Sequence, residues 1–262
     1  MKKLKLCLIG NSHLGCFKTG WDAISGAYPG VEMKFYPHCG NYYDMFRVDT
    51  KAGLLHVDND FVRSQFDRLS GNGGTIRPES FDLCLIVGGI TAWGGVQGVY
   101  SLQVQQQAAL DFFESSNTHL LVDKIRKLSS VEINCVHNPL EALREKPVRK
   151  VTGYDYLSGI SLINEMIGEK YNATLFSQPT ITMTKSNTSR LEYAAGERLT
   201  GASLVKGAKQ EIIDDLVHMN AAYGALFLSE ILAKKGIKAK NLSLPKPDGH
   251  LPFVQRQNMP PN

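Results

Sequence analysis

The feature that most constrains this chain is a series of short strand-like runs, separated by helical stretches and closed by glycine or polar residues. Leu4–Ile9 is a mostly apolar run that suits a strand buried in the middle of a sheet. Val31–Tyr36 alternates like a strand and ends at Pro37-His38-Cys39-Gly40-Asn41. Phe81–Val87 is the most strand-like run and stops at Gly88-Gly89. Val131–Val136 closes at His137-Asn138-Pro139, and Ala173–Phe176 is a shorter candidate. Helical spacing falls over Leu14–Ala27, over Leu102–Leu128 as one helix or two, over Asp155–Tyr171, and over His218–Lys234. Strands that alternate with helices predict an α/β fold: a parallel sheet with helices on both faces.

In such a sheet, ligands bind beyond the carboxyl ends of the strands. Gly10 ends the first run, and Asn11-Ser12-His13 follows. Ser12 is therefore a nucleophile-capable side chain at the reactive edge. Capping of the next helix by Asn11 or Ser12 is the alternative reading of these residues.

A length of 262 residues and 43% hydrophobic residues fit a sizeable core. We expect one domain over 1–238 and a Pro-rich tail over 239–262. Within the domain, Leu54–Val57 reads as a short edge strand or hairpin arm, Asp60–Leu69 as a short helix, and Gln178–Arg198 as a long polar loop. A net charge of +4 without a long run of one sign points away from nucleic acid; the basic stretch Arg144–Lys150 reads as a solvated loop. No run approaches the roughly 20 apolar residues of a membrane span, and the charged start lacks a signal peptide's apolar core. The expectation is a cytoplasmic protein. Five scattered cysteines show no zinc spacing. The oligomeric state stays open.

A serine nucleophile needs a general base, and the base needs an orienting group. Asp215 and His218, three residues apart, offer both. Capping by Asp214 or Asp215, with His218 in the first helical turn, is the competing reading.

Gly10-Asn11-Ser12-His13-Leu14-Gly15 and Asp215-Leu216-Val217-His218 together resemble the SGNH (GDSL-type) hydrolases, in motif and in order. The stretch Met219-Asn220-Ala221-Ala222-Tyr223-Gly224 also resembles the helix those enzymes carry after their histidine. The resemblance implies a three-layer α/β/α, flavodoxin-like domain that hydrolyses or transfers esters, often of carbohydrates or lipids. It makes Ser12, Asp215 and His218 the expected triad, and the backbone of Ser12 and Gly40 the expected oxyanion hole. The chain departs from the family at the third strand. Where the family has Gly-x-Asn-Asp, this chain has Gly88-Gly89-Ile90-Thr91, and Ile90 has no side-chain donor. Asn41, Thr91 and the N–H groups of Gly88 and Gly89 are the candidate substitutes. Asn11 replaces the family's Asp, and His13 its Leu.

The expected reaction is acyl transfer from a small ester, an O-acetyl group on a carbohydrate for choice, with His13 and Trp93 as candidate substrate contacts. Serine-based acyl transfer needs neither a metal nor an organic cofactor. A glycan O-acyltransferase using the same triad is one alternative. A non-catalytic binding protein that kept the fold is another. A Rossmann-like nucleotide site over Gly10–Gly15 is a third, although the segment lacks Gly-x-Gly-x-x-Gly.

Overall fold

The structure, a computed structural model, describes residues 3–38, 42–71, 74–93, 95, 100–142, 156–194 and 216–247. The expected basic loop over Arg144–Lys150, the end of the tail, Gly40, Asn41 and Asp215 lie outside the described residues.

Five strands form one parallel sheet: β1 (Leu4–Gly10), β2 (Val31–Pro37), β6 (Leu83–Val87), β7 (Glu132–Val136) and β8 (Ala173–Phe176). Their spatial order is β2-β1-β6-β7-β8. Counted along this sheet alone, that is the 2-1-3-4-5 order of flavodoxin-like folds, not the 3-2-1-4-5-6 order of the dinucleotide-binding fold. Between β2 and β6 come β3 (Phe46–Asp49), β4 (Leu54–Val57) and β5 (Thr75–Ile76), which form a separate antiparallel sheet. Leu54–Val57 is thus the middle strand of a small sheet.

The apolar strands are covered on both faces, which is why they read as near-continuous hydrophobic runs. Successive β1 residues point to opposite faces. Leu6 and Leu8 join the core under α1 (Leu14–Ile24) and α6 (Ala221–Lys234), with Phe17, Phe227 and Leu228. Cys7 and Ile9 join the opposite core, under α2 (Asp60–Ser70), α3 (Leu102–Glu114), α4 (Asn117–Arg126) and α5 (Tyr156–Tyr171). The result is a three-layer α/β/α domain.

The stretch 102–128 is two helices: α3 ends at Glu114 with Ser115 as its C-cap, and Ser116 caps the next, its Oγ accepting the His119 N–H at 3.2 Å. α1 and α6 pack with almost no space between their backbones. A Cβ on Gly224 would stand 1.9 Å from the Cys16 carbonyl oxygen, and one on Gly20 would stand 2.3 Å from the Ala225 nitrogen. No helix among the described residues is long and apolar enough to cross a membrane.

Candidate active site

β1 delivers Ser12 to the carboxyl edge of the sheet. The strand's pairing continues just past its end: the His38 N–H donates to the Gly10 carbonyl at 2.8 Å, and the Asn11 N–H donates to the Val87 carbonyl. The chain then turns sharply into α1. The Asn11 Oδ1 accepts the His13 N–H at 3.1 Å, and the Asn11 carbonyl accepts the Leu14 N–H at 2.9 Å. Asn11 therefore shapes the turn through its side chain, whereas the Ser12 hydroxyl caps nothing and projects from it. The Ser12 N–H makes no hydrogen bond among the described residues. The positive end of the α1 dipole starts beside it, where negative charge is favoured.

His218 arrives from the other end of the chain. α6 begins at Ala221, later than the sequence pattern suggests. Its N-cap is Asn220, whose Oδ1 accepts the Tyr223 N–H at 3.2 Å. His218 thus lies in the loop before the helix and not in its first turn. The loop is pinned on both sides. The Ala142 N–H donates to the Leu216 carbonyl at 2.9 Å, and the Asn220 N–H donates to the Tyr193 carbonyl at 2.9 Å. Asn220 Nδ2 adds a 2.8 Å bond to the Glu192 carbonyl.

These constraints place His218 Nε2 2.7 Å from Ser12 Oγ, across 206 positions of sequence. Both side chains are half-buried, so the pair is accessible from solvent. The His13 ring stacks on the His218 ring with centroids 4.9 Å apart and planes 29° apart. His13 is only 7% exposed, so it is not a solvent-facing helix residue.

The third-strand edge differs from expectation. The Gly88 N–H is already given to the Val136 carbonyl at 2.8 Å, and the Gly89 N–H to Asn138 Oδ1 at 3.2 Å. Neither N–H is available for a ligand. Gly88 has φ +80, and a Cβ there would stand 2.4 Å from Asn11 Oδ1; only glycine suits that conformation next to Asn11. Ile90 is buried, and Thr91 is exposed. Trp93 packs in the core against Phe112, with ring centroids 6.0 Å apart.

Residues that the sequence reading did not single out complete the edge. Asn138, at the end of β7, accepts the Gly89 N–H and lies 3.4 Å from Asn11 Nδ2. Behind it is a buried chain of polar groups. The Gln178 N–H donates to Tyr156 Oη at 2.7 Å. Tyr156 Oη lies 2.5 Å from His137 Nε2, and His137 Nδ1 lies 2.5 Å from the Asn138 carbonyl oxygen. The Asn138 carbonyl can only accept, so a hydrogen sits on His137 Nδ1; burial disfavours a second proton on the ring, and Nε2 therefore accepts the Tyr156 hydroxyl proton. His137 is then neutral, with its hydrogen on Nδ1. Gln178 Nε2 donates to Thr182 and Ser189, and its Oε1 accepts the Leu140 N–H. The described part of the expected Gln178–Arg198 loop, residues 178–194, is therefore stitched to the sheet edge by buried hydrogen bonds. The strand-closing position of His137-Asn138-Pro139 was the available signal for this group.

Chemically, the edge holds a hydroxyl in proton-sharing contact with an imidazole, beside a backbone N–H that makes no hydrogen bond among the described residues and a helix N-terminus. That is a site built to move a proton from an oxygen nucleophile and to accept negative charge next to it.

No family model matches the sequence, and no curated protein matches it. In three dimensions the chain is similar to several solved structures. One is the lipopolysaccharide acetyltransferase periplasmic domain of Salmonella ser. Paratyphi A, at 15% identity and a TM-score of 0.42, over 90% of this chain and 84% of that one. Another is a GDSL-like lipase from Bacteroides thetaiotaomicron, at 14% identity and a TM-score of 0.34, over 89% and 87%. A third is a carbohydrate esterase family 2 enzyme from Corynascus thermopiles, at 13% identity and a TM-score of 0.37, over 89% of this chain and 67% of that one.

Proposed function

We propose that this protein is an SGNH-type serine enzyme that cleaves a small acyl ester through an acyl-enzyme on Ser12. The observation that carries the reading is the 2.7 Å contact between His218 Nε2 and Ser12 Oγ. His218 takes the hydroxyl proton as the Ser12 oxygen attacks the ester carbonyl. The carbonyl's electron pair moves onto its oxygen, which the Ser12 N–H and the α1 N-terminus stabilise. The C–O bond of the ester then breaks, and His218 returns the proton to the departing alcohol. Asp215, three residues before His218, is assigned to orient the imidazole, and the Gly40 N–H to join the oxyanion hole; both roles rest on the resemblance of the motifs.

The acyl-enzyme is resolved by whichever hydroxyl reaches it. Water gives an esterase, and a sugar hydroxyl gives an O-acyltransferase. An acetyl group on a carbohydrate is the substrate this reading favours. The test is turnover of p-nitrophenyl acetate, with and without a sugar acceptor, by wild type and Ser12→Ala. We expect the variant to lose roughly 10⁴- to 10⁶-fold in kcat. Equal turnover by the two proteins would instead support a binding protein that kept the fold.

A further inference from the structure

An ester oxygen that becomes an anion needs more than one donor at this edge, because removing a single one typically costs about 100- to 1000-fold in rate. The backbone N–H groups after β6 cannot serve, since Gly88 gives its hydrogen to Val136 and Gly89 to Asn138. Asn11 Nδ2 is directed at Asn138 Oδ1, at 3.4 Å. Among the described residues, one side-chain amide at this edge has both donor hydrogens unengaged.

Its orientation is fixed by the bonds it makes. The Gly89 N–H can donate only to an oxygen, so the end of the Asn138 amide facing Gly89 is Oδ1. By the same logic, Asn11 Oδ1 faces the His13 N–H, which turns Asn11 Nδ2 towards Asn138. Both contacts fall on the oxygen of Asn138. Its Nδ2 keeps two hydrogens with no partner among the described residues, on a half-buried side chain that solvent reaches. The backbone is equally constrained. The Asn138 N–H donates to the Ile90 carbonyl at 2.7 Å, and its carbonyl accepts from neutral His137. Pro139 restricts the conformation further. The amide is thus anchored by one end and open at the other, one hydrogen bond away from the residue that precedes Ser12.

We infer that Asn138 is a catalytic residue whose Nδ2–H donates to the oxyanion, supplying from the end of β7 the side-chain donor that Ile90 does not provide. This assignment rests on the acyl-transfer reading above. As Ser12 Oγ bonds to the carbonyl carbon and its proton passes to His218 Nε2, the carbonyl pair moves to oxygen between the Ser12 N–H and Asn138 Nδ2–H. The pair returns when the bond to the leaving alcohol breaks and His218 gives the proton to that alcohol.

Asn138→Asp tests this, because the carboxylate keeps an acceptor oxygen for Gly89 and Asn11 while replacing the N–H donor by an oxygen. Turnover of p-nitrophenyl acetate is measured for wild type, Ser12→Ala, Asn138→Asp and Asn138→Ala, with active sites counted by exhaustive fluorophosphonate labelling of Ser12, carried to its end point and read by intact mass. The expected result is a fall of about 100- to 1000-fold in kcat per active site for both Asn138 variants, with KM little changed. A purely structural role lowers the number of active sites and the melting temperature but leaves kcat per site intact, and that result overturns the assignment. Wild-type turnover that Ser12→Ala retains would overturn the acyl-enzyme reading itself, a different outcome from retained turnover in the Asn138 variants alone.

Discussion

Lowering the pH should destabilise the fold through His137. The imidazole is 1% exposed. It is locked neutral between the Tyr156 hydroxyl and the Asn138 carbonyl, each at 2.5 Å. Burial, only partly offset by the bond to Asn138, pushes its pKa down from the ordinary 6.5 to about 4. Above pH 6.5 both folded and unfolded chains carry the neutral ring, and its contribution to stability is complete. Below that, the unfolded chain takes up the proton first, so stability is lost as pH falls towards the folded value. Over that window the loss is about 3 kcal/mol, at a limiting slope of about 1.4 kcal/mol per pH unit. Urea melts of wild type and His137→Gln between pH 4 and 8 isolate the effect, because the carboxylates and the other histidines are shared by both proteins. The difference in unfolding free energy should be constant above pH 7 and shrink by about 3 kcal/mol by pH 4. A difference that stays flat, or grows on acidification, would refute the neutral, hydrogen-bonded assignment.

Other perturbations have separate readouts. Tyr156→Phe leaves the Gln178 N–H and His137 Nε2 unpaired in the interior. We expect a loss of about 2–4 kcal/mol at pH 7 in a denaturant melt. Asn220→Ala removes the α6 cap and the side-chain bonds that hold the His218 loop to the Glu192 and Ala194 carbonyls. It should cost about 1–2 kcal/mol and reduce ester turnover as well. Gly224→Ala would set a methyl group against the Cys16 carbonyl. It should force α1 and α6 apart and lower stability by about 1–3 kcal/mol or more, measured by thermal unfolding.

The parallel sheet was readable because its strands are buried on both faces, so Leu6, Leu8, Leu85 and Ile86 leave a continuous apolar imprint. The antiparallel sheet was harder to see. Its strands are two to four residues long, and Phe46–Asp49 carries only two apolar residues. The sequence pattern starts α6 at His218, too early, because several residues before Ala221 have capping chemistry, and the choice of Asn220 depends on contacts to residues 192–194. Ser12 and His218 were visible as motifs, whereas their meeting is a property of the fold. Asn138 shows the limit most clearly. Its polar end finds Gly89 and Asn11, 49 and 127 positions away, and no local pattern encodes such a contact.

The central claim is that the Ser12 hydroxyl is activated by His218. It is tested most directly by labelling the full chain with a fluorophosphonate and mapping the modified residue by mass spectrometry. The account predicts a single adduct on Ser12 in wild type and none in His218→Ala. An adduct elsewhere, or equal labelling of Ser12 without the imidazole, would contradict it.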